Sequence, residues 1–145
     1  MKKILLLFFS LMFLAACSKE VNNYDYRFVG ESGHWEAEYV FKGTEVWKEK
    51  NGRRTYSNEN RDEFYLEYKG PIEELSSLKN LEYTYETSAG SGSGATKFDA
   101  PPTKKVFKSS GSSENSGTVN EDEIIKVYVK WGDAEETFEL HREKQ

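Results

Sequence analysis

The residues able to do chemistry are few. The chain has one cysteine, Cys17, and two histidines, His34 and His141. A transition-metal site would need both histidines brought together with carboxylates or with Cys17. No His-x-x-x-His or Cys-x-x-Cys spacing occurs to do that locally, so no metal and no cofactor is expected. The serines cluster in Gly/Ser stretches that fix no rotamer. Gly90-Ser91-Gly92-Ser93-Gly94 matches a nucleophile elbow in composition only, with no strand-to-helix turn around it. Paired carboxylates are abundant, as in Glu73-Glu74, Glu121-Asp122-Glu123 and Glu135-Glu136. Acid–base work needs two of them isolated in an apolar cleft, whereas outward Glu at alternate strand positions is an ordinary solvated face. Asn120–Glu123 supplies oxygen ligands of the kind calcium takes. It lacks the EF-hand pattern, and it also suits a charged guard before Ile124-Ile125. The expectation is a protein that is not an enzyme, with a cell-wall-directed enzyme as the least favoured reading.

Cys17 carries the most specific signal. Met1-Lys2-Lys3 is a short positive start, and Ile4–Ala16 is 13 residues without a charge. As helix that stretch spans about 20 Å, short of the roughly 17–25 residues a spanning helix needs. It fits the apolar segment of a signal peptide. Leu14-Ala15-Ala16-Cys17 resembles the bacterial lipobox: an aliphatic residue, two small residues, then cysteine. The resemblance implies cleavage between Ala16 and Cys17 and a covalent lipid on Cys17, of the kind metabolic palmitate labels. It also implies a location on the extracytoplasmic face of the cell membrane. Two acyl chains anchor stably where one does not, since each buried CH₂ contributes roughly 0.8 kcal/mol. An acylated Cys17 leaves no thiol for a disulfide, a metal or catalysis. The motif covers 17 residues. Beyond it the chain is similar only in general style to small uncharacterised lipoproteins of Gram-positive bacteria.

Removing residues 1–16 takes Lys2 and Lys3 with it and moves the formal charge from −5 to −7. That acidity, with Arg53-Arg54 and Lys104-Lys105 as isolated pairs, excludes a nucleic-acid reader. It also predicts repulsion of the domain from anionic headgroups. Partners are then the membrane, through the lipid, and an envelope protein or cell-wall polymer. A transporter's substrate-binding lipoprotein is disfavoured, because two lobes around a cleft need about twice this length.

Residues 17–23 read as a polar tether, reaching at most ~25 Å. From residue 24 to 145 the pattern has period two. Tyr24, Tyr26 and Phe28 alternate with Asp25 and Arg27, and Trp35, Ala37, Tyr39 and Phe41 with Glu36 and Glu38. Phe64–Tyr68, Leu81–Tyr85, Ile125–Trp131 and Phe138–Leu140 continue it. Asn51-Gly52 and Gly132-Asp133 mark hairpins. Gly70-Pro71 ends a strand, and Ile72, Leu75 and Leu78 then recur every three residues. The Gly/Ser stretches near 88–97 and 109–120 read as mobile loops, with a short strand expected between them at Lys104–Lys108. About seven or eight short strands predict an all-β domain: an antiparallel β-sandwich, with immunoglobulin-like topology as one form and a small β-barrel as runner-up.

Of 21 aromatic residues, Phe8, Phe9 and Phe13 lie in the signal segment. Trp47 and Tyr65 fall opposite the best apolar faces of their strands, which makes them the candidate exposed binding aromatics. The expected role is a binding or interaction module at the cell envelope. The alternative is a structural or stress-related envelope protein without a small ligand.

Overall fold

A computed structural model describes residues 17–144. The segment 1–16, with the expected signal peptide and Leu14-Ala15-Ala16, lies outside the described residues. Eight antiparallel strands follow one another: β1 (Ser18–Glu31), β2 (Trp35–Lys50), β3 (Arg53–Tyr68), β4 (Asn80–Thr87), β5 (Gly90–Lys97), β6 (Val106–Glu114), β7 (Ile125–Trp131) and β8 (Ala134–Arg142). Their lateral order is β5-β4-β7-β8-β1-β2-β3-β6. The fold is all-β, as the period-two runs imply.

The sheet folds over on itself into two layers. β6-β3-β2-β1 forms one and β8-β7-β4-β5 the other. They join through the residue pairs Phe28↔Arg142 and Val29↔His141, with the Glu143 amide donating to the Arg27 carbonyl at 2.9 Å beside them. At the far seam β5 and β6 come close without pairing, so the sheet is nearly closed. At the join the layers must pass very near each other. A Cβ on Gly30 would lie 2.1 Å from the Glu139 carbonyl oxygen, so glycine is what admits β8 there. Three consecutive strands, β1-β2-β3, are neighbours in one layer, which differs from the ABED/CFG order of immunoglobulin domains.

The core fills the space between layers. Phe28, Trp35, Phe64 and Leu66 on one side and Leu81, Ile125, Val127 and Leu140 on the other have no exposed surface. Burying each such side chain contributes roughly 1.5–3 kcal/mol. Phe64 stacks on Tyr85 at 4.4 Å and on Tyr83 at 5.4 Å, across the layers. Leu75, in a 3-10 turn at Ile72–Leu75, and Leu78 are also buried.

Two expectations about the chain's organisation change. The Gly/Ser stretches are strands over most of their length, and only 88–89 and 115–120 lie outside strands. Gly90–Lys97 pairs along β4, and Ser109–Glu114 continues β6 along β3. In β5 the glycines alternate with serines, and Gly92 and Gly94 face Tyr85 and Tyr83 across the ladder. They leave room for those rings. Ladder hydrogen bonds and tyrosine burial order a segment whose own side chains could not. The tether is corrected too. Ser18–Asn23 is the start of β1, paired residue by residue with Thr44–Glu49 of β2. The runs Trp35–Phe41 and Phe64–Tyr68 likewise belong to longer strands, each of 16 residues.

Candidate functional site

The three long strands outrun the core. No residue of β1 before Tyr24, of β2 after Phe41 or of β3 before Asn58 is fully buried. Thr44–Lys50, Arg53–Ser57 and Ser18–Asn23 therefore form a three-stranded arm. At ~3.4 Å per residue it extends about 25 Å past Gly43. Its tip is the two-residue turn Asn51-Gly52, with φ of 53° and 73°, the mirror-image geometry that suits the twist of paired strands. Cys17 is exposed and precedes Ser18, which pairs with Glu49. The expected lipid attachment point thus sits at the arm's end, joined to a sheet without slack.

Side chains on the arm sort strictly by face. Trp47 is not opposite the apolar face as expected: it is half-buried and, with Tyr56 and Arg54, shares the face continuous with the core. Trp47 packs on Tyr56 at 4.5 Å, and the Arg54 guanidinium lies 4.6 Å from the Trp47 ring centre. Lys19, Lys48, Lys50 and Arg53 share the outer face, all exposed. Sequence reading passed over this set, because the four lie on three strands and only the register gathers them.

Tyr65 is elsewhere. It lies on the outer face of the sandwich proper, with its hydroxyl donating to Glu63 Oε2 at 2.7 Å and Lys108 Nζ 4.8 Å from its ring centre. A groove of about 470 Å³ passes it, lined by Arg27, Val29, Glu36, Glu38, Glu67 and Val106 among others. Trp47 and Tyr65 therefore make no common patch.

The histidines are held by different carboxylates. His34 Nδ1 lies 2.5 Å from Glu136 Oε1, and Ser32 Oγ donates to Glu136 Oε2 at 2.5 Å. The His34 amide adds a bond of 3.1 Å to that oxygen. Burial works to raise the Glu136 pKa, but the bonds from Ser32 and His34 outweigh it and hold the carboxyl below its usual range. Ser, His and carboxylate are all present, yet the carboxylate stands between the other two. Acyl transfer needs the imidazole on the serine hydroxyl. The arrangement instead pins the turn between β1 and β2 to β8. His141 lies 3.7 Å from Glu139 on the opposite face of β8 from Phe138 and Leu140. Among the described residues no three His, Cys, Asp or Glu side chains gather as a metal set.

The acidic run at Glu121 disperses. Glu121 pairs with Arg142 at 2.7 Å, while Glu123 accepts from the Ser88 amide and hydroxyl and from the Asn120 amide. These bonds fasten a loop end rather than converge on one point. Inside the sandwich Asp62 faces the core layer. Burial raises its pKa, and the Tyr85 hydroxyl, donating at 3.3 Å, offsets part of that.

No protein family, curated protein or solved structure was found to match the chain.

Proposed function

We propose that this chain is a lipid-anchored lipoprotein of the extracytoplasmic membrane face, with a β-domain that binds a partner at the cell envelope rather than acting as a catalyst. The observation that carries the reading is Leu14-Ala15-Ala16-Cys17, standing after an uncharged segment that follows Lys2-Lys3. The exposure of Cys17 at the end of the arm is consistent with an anchor there. The groove at Tyr65, ringed by Arg27 and several glutamates, supports a binding role over a purely structural one. Catalysis is disfavoured by the order of Ser32, Glu136 and His34.

The test is Cys17→Ser with metabolic palmitate labelling and membrane fractionation. The native chain is expected to carry label and pellet with membranes, and the variant to lose both. A variant that stays labelled and membrane-bound would remove the lipobox reading.

A further inference from the structure

The outer face of the arm carries two like-charged pairs in direct register. Lys19 stands opposite Lys48, and Lys50 stands opposite Arg53. Like charges facing across a ladder destabilise it. None of the four has a carboxylate oxygen within 4.0 Å among the described residues; the one arm ion pair, Arg54 with Glu20 at 3.9 Å, is on the other face. Nothing in the fold requires this arrangement, since the turn geometry is set by Asn51-Gly52.

Charge is also distributed unevenly along the molecule. The tip, residues 17–20 and 48–55, holds five cations and two carboxylates, a net of +3. The rest of the chain after Ala16 then carries −10. The arm's length of about 25 Å is about three Debye lengths at physiological salt. A surface touching the tip would feel the tip's charge and little of the body's. The sequence-level expectation that the acidic domain is repelled from anionic headgroups therefore does not extend to the tip.

We propose that the basic face of the arm is a docking surface for an anionic lipid bilayer. This rests on the reading of Cys17 as the anchor for its biological setting, because Cys17 brings the tip to the membrane. One lipid anchor plus a polybasic patch is a recognised two-part attachment. Docking would fix the tilt of the arm relative to the bilayer.

The test uses the chain from Cys17 to Gln145, which contains every described strand, with Cys17→Ser so that no acylation contributes. It is sedimented with vesicles of equimolar phosphatidylglycerol and phosphatidylcholine, and with vesicles of phosphatidylcholine alone. Partitioning into the anionic vesicles is expected to be at least about tenfold stronger in low salt. It should vanish near 1 M salt, where the Debye length is about 3 Å. Each basic residue near an anionic surface strengthens binding about fivefold, so Lys48→Gln with Lys50→Gln should weaken it more than tenfold. The control pair Lys126→Gln with Lys130→Gln, exposed on β7, should change it less than about twofold. Lys19→Glu separates docking from folding. It turns a like pair into an opposite pair, so the thermal midpoint should rise while vesicle binding falls. Equal binding to both vesicle types, equal effects of the two double variants, or retention on an anionic polyphosphate polymer without retention on vesicles would overturn the proposal. A positive result stands even if palmitate labelling finds no lipid on Cys17, and a negative one leaves the labelling result intact.

Discussion

Tyr85 lies directly over Gly92: a Cβ placed on that glycine would stand 2.1 Å from the tyrosine Cζ. The ring cannot swing aside, because it is clamped by Phe64 at 4.4 Å and Tyr39 at 5.4 Å and is almost fully buried. An edge strand without large side chains is thereby built into the core by its neighbour's rings.

Gly92→Ala is therefore expected to destabilise the domain by about 1–3 kcal/mol, the usual cost of overpacking. For a domain of this size that is a fall of several degrees in the thermal midpoint. Ser91→Ala, one residue away and exposed, should stay within about 0.5 kcal/mol. Equal effects at the two positions in thermal melts would mean that the glycine does not make room for the ring.

Asp62 supplies a pH-dependent prediction. Burial raises its pKa in the fold, so the native state holds this proton more tightly than the unfolded chain does. Its favourable contribution is complete below the unfolded value of about 3.9 and is lost as pH rises through the folded value. At pH 7 the ionised Asp62 is a cost. Asp62→Asn should raise the urea midpoint at neutral pH, and the gain should shrink to nothing near pH 3. The Tyr85 hydroxyl can still donate to the asparagine carbonyl. An advantage that is the same at both pH values would show that the charge is not its source.

Asn58 closes one end of the sandwich. It is 2% exposed; its Nδ2 donates to the Ser116 carbonyl at 2.8 Å, and its Oδ1 accepts from the Ser116 amide at 3.0 Å. Asn58→Ala leaves that amide without its partner, for an expected loss of about 1–3 kcal/mol. Hydrogen exchange should show the Ser116 amide losing protection first, while the β7 amides follow only global unfolding. Unchanged exchange at Ser116 would rule out the clasp.

Much of the fold was legible because period-two alternation and turn chemistry are local. Phe28, Tyr39, Phe64 and Val127 announce inward faces by spacing alone, and Asn51-Gly52 announces its turn by the positive φ it admits. The strand β5 and the Ser109–Glu114 part of β6 were not legible. Their glycines and serines bury little surface of their own, so what orders them belongs to Tyr83, Tyr85 and the β3 ladder. The start of β1 was misread for a related reason. A polar, exposed segment has a tether's composition, and only its pairing partner makes it a strand.

The candidate site divides in the same way. The sequence by itself set the expectation of no catalysis and made Cys17 the proposed anchor, because a lipobox-like run is read from consecutive residues. It also determined the acidic balance and the alternating faces. Only the tertiary structure decided which charges share a face. Lys19, Lys48, Lys50 and Arg53 are scattered in a sum that comes out negative, and the β1–β2–β3 register sets them side by side. It likewise parted Trp47 from Tyr65 and brought Ser32 and His34 to Glu136. The physical reason is the same for each: composition adds charges and rings without regard to position, whereas a strand ladder places each at a fixed face and height.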